Sequence, residues 1–312
     1  MVTETRKRTM EEFAETVRDV IEALLGEGFQ VEIHDSVKNN DTHLTGLIIR
    51  NARSNIAPNI YLEYYFDKYR EGMTMEEIIG RIIRAYKECH VPEHIDISAV
   101  LDFESIKDRI CYKLVNADWN KERLSGIPYM AFHDLALIPY IVVSNDKNGI
   151  GSVTINDDIL ERWDIDKEVL FDLAKQNTRR LFRGKIDTMI NIIGDIMSAN
   201  SGEFEEDYLN EMEASEEMPG MYVCTNETKT NGAGVILYDG LLRDFSDTIN
   251  DSFYILPSSI HETIFVPDSE NLDAGYLKFL VNEINQAVVQ SDEVLSNNVY
   301  YYNRSEDCVE KM

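Results

Sequence analysis

One short segment, PSSIHETIFVP at residues 257–267, places two serines, a histidine and a glutamate close together. A serine hydroxyl, a histidine base and a carboxylate are the groups with which hydrolases perform nucleophilic catalysis. Ser259, His261 and the nearby Asp268 are therefore candidate catalytic residues, with Asp134 from another part of the chain. Residues two apart on a strand lie roughly 6.5 Å apart, whereas a nucleophile and its base require about 2.6–3.2 Å. On a strand, Ser259 and His261 would thus make a poor dyad.

The same segment has a structural interpretation. Ser259 and Glu262 match the S-x-x-E capping box, in which a serine side chain begins a helix. One helical turn there would carry the chain from the strand FYIL into the strand TIFVP. Pro257 and Pro267 would mark the boundaries of these elements. This interpretation needs no catalytic role, and a turn that binds a ligand is the remaining alternative.

Asp134 follows His133 in the segment AFHDLALIPY. Adjacent residues on a strand point to opposite faces, so these two side chains cannot form a His–Asp relay with each other. Asp134 stands just ahead of an apolar, strand-like run. This position favours a carboxylate that caps or bonds backbone at a bulge over a functional one.

The segment CHVPEH brings Cys89, His90 and His94 together, with Cys111 as a further potential ligand. Structural zinc sites usually show two tight pairs of ligands, and the second pair is missing here. The three residues stay weak metal candidates, and the sequence predicts no metal. Nucleotide-binding glycine patterns are also missing, so it predicts no cofactor.

A basic cluster, NTRRLFRGK, stands out in this acidic chain and contains Arg179, Arg180, Arg183 and Lys185. Cations are favoured at the C-terminus of a helix by the helix dipole, which is one explanation of the cluster. The alternative is an anchor that binds a phosphate-bearing ligand or the acidic segment 200–219. These four residues are therefore the candidate ligand-binding residues.

The charge of the chain is strongly unbalanced, with 57 acidic and 30 basic residues and a net charge of −27. Such a field repels phosphate backbones and anionic membranes, so we expect neither direct nucleic-acid binding nor a membrane partner. A basic protein is the favoured partner. Two interpretations stay open: the charge gives solubility, or the surface imitates nucleic acid and occupies a basic partner.

The cysteines and the first residues point to a cytoplasmic protein. Cys89, Cys111, Cys224 and Cys308 show no CxxC spacing, and MVTETRKRTM is polar with no apolar signal segment after it. The longest apolar run, LALIPYIVV, is about half the length of a membrane span and contains Pro139. A reducing compartment is therefore expected.

Hydrophobic spacing predicts the elements that would position these residues. The order β-β-α-β-β-α over 220–290 argues for antiparallel pairing rather than a doubly wound parallel sheet. We expect an α+β fold, with mainly antiparallel sheets and helices packed on one face, in two or three subunits of one large domain. Five parts are expected: 1–101 with a helix, a β-hairpin and two helices; 102–199 as a three-stranded α+β unit; 200–219 as an acidic linker or flexible loop; 220–290 as a ββαββα unit; and 291–312 as a C-terminal tail.

Individual helices and strands are predicted from the same spacing. We expect helices over 59–69, 103–115, 186–199 and 272–290, and a strand over GVILYD at 234–239. In the first hairpin, Val31, Ile33 and Val37 should share a face with Leu44 and Ile48. In the last helix, the predicted apolar stripe consists of Leu272, Tyr276, Phe279, Leu280, Ile284 and Val288.

Four segments also resemble a known family: NIAPNIYLEYYFDKYREGMTMEEI, GIPYMAFHDLALIPYIVV, KTNGAGVILYDGLLRDF and FYILPSSIHETIFVPDS. They are similar to an uncharacterised family of unknown function, formed by acidic cytoplasmic proteins of anaerobic Gram-positive bacteria and often associated with mobile elements. The resemblance covers roughly residues 28–290. It implies a bacterial, cytoplasmic protein with one family-wide domain, and it supplies no catalytic residue or ligand.

Because no catalytic set converges, the sequence favours a non-catalytic cytoplasmic protein with an interaction or regulatory role. One alternative is a hydrolase with a Ser/His/Asp site around 258–268. The other is an acidic mimic of nucleic acid that occupies a basic partner.

Overall fold

The computed structural model describes residues 8–52, 54, 56–89, 100–146, 149–194 and 220–312. The chain forms two compact units, Met1–Val100 and Leu101–Met312. Strands in the described ranges pair antiparallel in every sheet. The predicted α+β class is confirmed.

The first unit packs helices against a three-stranded sheet of order β1-β2-β3. Its elements are α1 (Met10–Leu25), β1 (Phe29–Val37), β2 (His43–Asn51), β3 (Asn59–Tyr61), α2 (Glu63–Arg70) and α3 (Met75–Glu88). The helix predicted over 59–69 is therefore partly wrong, since its first residues form β3. Both α1 and α3 begin with a capping box, and Thr74 and Glu77 form the second one.

The core of the first unit brings the buried face of α1 together with β2 and α3. Phe13, Val17 and Ile21 follow one another at intervals of four residues and are fully buried on α1. They belong to the same cluster as Leu47 and Ile49 of β2. Burying a side chain of this size stabilises the fold by about 1.5–3 kcal/mol.

The second unit contains two sheets. The four-stranded sheet consists of β4 (Ile110–Asn116), β5 (Met130–Phe132), β6 (Leu135–Asp146) and β7 (Gly149–Thr154), with β6 pairing with each of the others. The six-stranded sheet consists of β8 (Gly184–Thr188), β9 (Tyr222–Asn226), β10 (Phe253–Leu256), β11 (Thr263–Pro267), β12 (Tyr300–Asn303) and β13 (Cys308–Lys311). Its order is β13-β12-β10-β11-β9-β8.

Helices and one longer 3-10 helix connect these strands. The helices are α4 (Phe103–Ile106), α5 (Lys121–Leu124), α6 (Asp157–Trp163), α7 (Lys167–Leu181), α8 (Leu241–Ile249) and α9 (Ala274–Ala287), and the 3-10 helix is Gly232–Leu237. No helix in the described part of the chain is both long enough and apolar enough to cross a membrane.

Several element predictions for the second unit are wrong. The helix predicted over 103–115 ends early and gives way to β4, because apolar residues at 103, 106, 110 and 114 fit a helix as well as a buried strand. The helix predicted over 186–199 is partly right, because residues 186–188 belong to β8 whereas residues 189–194 are helical. The strand predicted over 234–239 lies largely in the 3-10 helix.

The predicted tail 291–312 contains β12 and β13, so it completes the six-stranded sheet. That sheet takes strands from three predicted parts, 102–199, 220–290 and 291–312. The predicted linker 200–219 lies outside the described residues.

The last helix, α9, buries a different face from the predicted one. Leu277, Val281 and Asn285 are its buried residues. Phe279 is 60% exposed and Val288 is 78% exposed, although both belong to the predicted stripe. Most of the predicted stripe is therefore exposed, whereas its first residue, Leu272, packs against the core.

Candidate functional site

Ser259 and His261 lie in the loop between β10 and β11. The Ser259 hydroxyl accepts a hydrogen bond of 3.0 Å from the backbone N–H of His261. Ser259 also forms an isolated antiparallel bridge with Val294. No helix begins here, so the capping-box interpretation with Glu262 is wrong. The hydroxyl bonds backbone two residues ahead instead, as serine commonly does in turns.

The ring of His261 has partners other than serine. Its Nδ1 accepts a hydrogen bond of 3.2 Å from the backbone N–H of Asn231. Its Nε2 lies 3.5 Å from Oε1 of Glu293. A neutral imidazole that accepts at Nδ1 carries its proton at Nε2, which therefore points to Glu293. His261 thus joins two loops and is not oriented as a base for Ser259.

Asp268 lies at the opposite end of β11 from His261. The five residues of that strand span roughly 16 Å. The Asp268 carboxylate accepts a hydrogen bond of 3.0 Å from the Tyr301 hydroxyl. The structure therefore does not bring Ser259, His261 and Asp268 into one catalytic arrangement.

Asp134 sits in the turn between β5 and β6 and is only 9% exposed. Its Oδ2 accepts from the Ser296 hydroxyl at 2.7 Å and from the Asn298 amide at 2.9 Å. Its Oδ1 accepts from the Tyr300 hydroxyl at 2.9 Å, and the Lys311 ammonium lies 3.7 Å away. Burial by itself raises the pKa of Asp134, but these hydrogen bonds outweigh burial and hold the pKa below its usual range.

This carboxylate ties the β5–β6 turn to the residues before and within β12. The sequence led us to expect a bond to backbone, and the carboxylate does receive one from its own backbone N–H, but three side chains are its further partners. The neighbouring His133 has a positive φ of 53° and stacks on Tyr300 with ring centroids 5.4 Å apart. The His133 ring reaches the carbonyl of Val309 at 3.1 Å. Asp134 and His133 therefore both anchor the C-terminal strands.

Of the metal candidates, the structure describes Cys89 and Cys111. Cys89 is exposed at the end of α3, and His90 and His94 lie outside the described residues. Cys111 is buried in β4, and burial raises the pKa of its thiol to about 12, which opposes the thiolate that binds metal. In the described ranges, no three His, Cys, Asp or Glu side chains are grouped to hold a metal ion.

The basic cluster divides into two pairs with different roles. Arg180 donates to the carbonyl of Asp108 and to the Asn177 side chain, and Lys185 pairs with Asp187 at 2.9 Å. Arg179 and Arg183 instead line one cleft. Arg179 donates one N–H to the carbonyl of Asp239 at 3.0 Å.

Arg183 is exposed, and its guanidinium makes no hydrogen bond or ion pair with any part of the chain that the structure describes. The cleft that it shares with Arg179 has a volume of about 590 Å³. We call it the arginine cleft. Its lining residues are Arg179, Arg183, Gly184, Ile186, Asp187, Thr188, Tyr222, Tyr238, Leu241, Asp244, Phe245 and Thr248. Ligand-binding clefts typically measure about 300–1,000 Å³.

The end of α7 is held in place by Tyr238. The Tyr238 hydroxyl donates to the carbonyl of Phe182 at 2.6 Å, which satisfies a carbonyl at the open end of the helix. Gly184 allows the start of β8 to lie close to the 3-10 helix Gly232–Leu237, because a Cβ on Gly184 would lie 2.8 Å from the side chain of Val235. These contacts fix the segment that carries both arginines.

The wall of the cleft is aromatic. The rings of Tyr222 and Phe245 meet edge to face, with centroids 5.0 Å apart. The cleft also contains two carboxylates. Hydrogen bonds from Asn191 and Lys185 hold the pKa of Asp187 below its usual range. Asp244 is exposed in the first turn of α8, and its carboxylate makes no hydrogen bond or ion pair with another described residue.

Sequence reasoning identified the two arginines of the cleft and missed its aromatic wall and Asp244. Tyr222, Phe245 and Asp244 come from β9 and α8, which are distant in sequence from α7. Each of them looks like an ordinary strand or helix residue in its own segment. Only the tertiary arrangement brings the three side chains into one cleft with Arg183.

Comparison with known proteins gives one positive finding. The model of a family of unknown function, DUF5688, matches residues 10–304 of the chain. No curated protein and no solved structure matches the chain. Because the match extends over most of both units, the chain belongs to the DUF5688 family, whose function is unknown.

Proposed function

We propose that this chain is a non-catalytic interaction protein and that it binds a protein partner at the arginine cleft. The observation that carries the proposal is the guanidinium of Arg183, which has no partner among the described residues and lies with Arg179 in a cleft with an aromatic wall. A guanidinium binds a carboxylate or a phosphate through two parallel hydrogen bonds. Apolar surface beside it limits solvent screening and strengthens such bonds.

The other two functions receive less support. A hydrolase requires a serine hydroxyl against a histidine nitrogen, whereas the ring of His261 faces Asn231 and Glu293. A mimic of nucleic acid requires two rows of carboxylates with phosphate-like spacing on one face. Its support is the net charge of −27.

The net charge of the chain favours a partner that is basic overall. A field of this sign draws a basic protein by long-range attraction and disfavours nucleic acid and anionic membranes. The same proposal places the chain in the cytoplasm. All four cysteines are free thiols, which supports a reducing compartment. The family resemblance supports an acidic protein of anaerobic Gram-positive bacteria that is encoded among mobile-element genes.

The test compares three forms of the full chain as bait in affinity capture from a bacterial lysate: wild type, Arg183→Gln and Arg162→Gln. Arg162 is an exposed arginine on α6, so its variant makes the same change in charge away from the cleft. Captured proteins are quantified by mass spectrometry at low and high salt.

We expect a partner that wild type and Arg162→Gln retain at low salt, that Arg183→Gln loses about tenfold, and that high salt releases. Equal recovery by Arg183→Gln and Arg162→Gln would place the interaction elsewhere and reject the cleft as its site. No recovery by any form would count against the interaction role itself.

A further inference from the structure

The arginine cleft presents charges of both signs. Arg183 makes no ion pair within the described part of the chain, and neither does the carboxylate of Asp244. Both side chains line the same cleft, and no ion pair joins them. In a cleft that binds only a simple anion, such a carboxylate would weaken binding, because the carboxylate repels the ligand.

The two carboxylates of the cleft are not equivalent. Asp187 accepts from Lys185 at 2.9 Å and from the Asn191 amide at 2.8 Å, so its charge is already compensated. Asp244 lies in the first turn of α8, with its Oδ2 at 3.9 Å from the position of a Cβ on Gly240, and its carboxylate makes no hydrogen bond or ion pair with another described residue. Asp244 is therefore the carboxylate available to a ligand.

The arginines also have donors that remain available. A guanidinium carries five N–H donors, and Arg179 uses one of them on the carbonyl of Asp239. The same cleft includes the rings of Tyr222 and Phe245. The lining thus offers one cationic, one apolar and one anionic contact.

We infer that the partner segment in the arginine cleft carries an acidic, an aromatic or aliphatic, and a basic side chain. The acidic side chain binds Arg183 and Arg179, the apolar one packs on Tyr222 and Phe245, and the basic one binds Asp244. This inference rests on the proposed function and specifies the chemistry of the partner at that site. A segment with charges of both signs can bind the two arginines and still belong to a basic protein, which is the kind of partner that a strongly acidic chain attracts.

The test uses blocked, fluorescein-labelled pentapeptides that share one frame: GEFKG, GEFQG, GEFEG, GEGKG and GKFKG. Binding to the full chain is measured by fluorescence anisotropy at low salt. The protein variants are Arg183→Gln with its control Arg162→Gln, and Asp244→Asn with its control Asp158→Asn. Asp158 is an exposed residue in the first turn of α6, so its variant makes the same change in charge as Asp244→Asn in the first turn of another helix.

GEFKG is expected to bind wild type best. Replacing its lysine by glutamine should weaken binding about three- to fivefold, and the same replacement should have no effect in Asp244→Asn. Arg183→Gln should weaken GEFKG about tenfold, and GEGKG should bind less well because it lacks the ring. The two control variants should bind like wild type.

If GEFEG binds wild type as well as GEFKG, and both depend on Arg183, the inference is overturned while the proposed site stands. If GKFKG binds best, attraction by the whole charge explains the binding, and the inference is likewise overturned. Binding that ignores Arg183→Gln overturns the inference and the proposed site together. Failure of every peptide to bind overturns the inference, and the capture experiment then decides the proposed function separately.

Discussion

Asp134 joins two distant parts of the second unit through a single buried carboxylate. Ser296, Asn298 and Tyr300 each donate a hydrogen bond to it, and Tyr300 is itself buried. Hydrogen bonds to a charged group contribute about 1.5–3 kcal/mol each, and a buried donor that loses its acceptor costs about 1–3 kcal/mol. The role of Asp134 is therefore to hold the C-terminal strands.

Replacing this carboxylate should be costly at neutral pH. In Asp134→Asn an amide faces the same donors, so we expect the free energy of unfolding in urea to fall by about 2–4 kcal/mol. Asp172→Asn, an exposed change on α7, should stay within about 0.5 kcal/mol of wild type. The same small effect in both variants would contradict the anchoring role.

The difference between wild type and Asp134→Asn should also depend on pH in one direction. The pKa of Asp134 in the folded state lies below its ordinary value of 3.8, so its stabilising effect is present in full above that value. The effect is lost as pH falls below 3.8 toward the lower folded-state pKa. Urea unfolding at several pH values should therefore show the two curves converging in acid. A gap that widens in acid would show that the carboxylate is not stabilised by folding.

The sequence identified single candidate residues but did not predict which side chains they contact. It identified Asp134 and Arg183 as unusual from their local context. The side chains that explain Asp134 lie 162 to 166 residues further along the chain, and those that share the cleft with Arg183 come from β9 and α8. No local pattern relates residues at such separations, so their roles needed the tertiary structure.

At the scale of elements, hydrophobic spacing predicts that α9 is a helix but does not predict which of its faces is buried. The spacing correctly predicted a helix. It did not tell which of two neighbouring apolar rows faces the sheet, because Leu277 and Val281 compete with Phe279 and Val288 for that position. Packing against β10 and β11 settled the choice.

Two matched substitutions on α9 test this orientation. Leu277→Ala removes a fully buried side chain and should lower the free energy of unfolding by about 2–5 kcal/mol. Phe279→Ala removes a larger side chain that is 60% exposed, and its effect should stay near roughly 0.5 kcal/mol. Urea unfolding measures both. A larger loss for Phe279→Ala would mean that the predicted stripe is covered in solution.

The first hairpin, formed by β1 and β2, has a different register from the predicted one. The sequence placed Val31 and Ile33 on the face of Leu44 and Ile48, whereas their true partners are Ile49 and Leu47. The turn contains Asn40 and Asp41 with positive φ, and this conformation sets the register. A shift of one residue moves a whole strand face from core to solvent, so turn geometry decided what alternation could not.

At the scale of the whole molecule, the net charge of −27 disfavours the compact folded state. Charges of one sign repel more strongly in the compact state than in the unfolded chain. Salt shortens the range of this repulsion from about 30 Å at 0.01 M to about 10 Å at 0.1 M. The folded state should therefore gain stability when salt is added.

We expect the unfolding temperature to rise by about 2–4 °C between these two salt concentrations, which corresponds to about 1 kcal/mol. Differential scanning calorimetry measures it. Sodium chloride and choline chloride at equal ionic strength should give the same rise, because screening does not depend on the cation. A rise with only one of them would indicate specific ion binding, and a fall would show that attractive ion pairs dominate.

The distance between Asp134 and its donors has a consequence for how the protein is made. Translation at about 5–20 residues per second separates the appearance of Asp134 and Ser296, 162 residues apart, by roughly 8–32 s. During that interval the carboxylate has none of these three donors. Once β10 has been synthesised, it lacks its neighbour β12 until Tyr300–Asn303 follows. An open strand edge is a template for pairing with other chains. We therefore expect the nascent second unit to expose an unpaired strand edge until the strands that complete it have emerged.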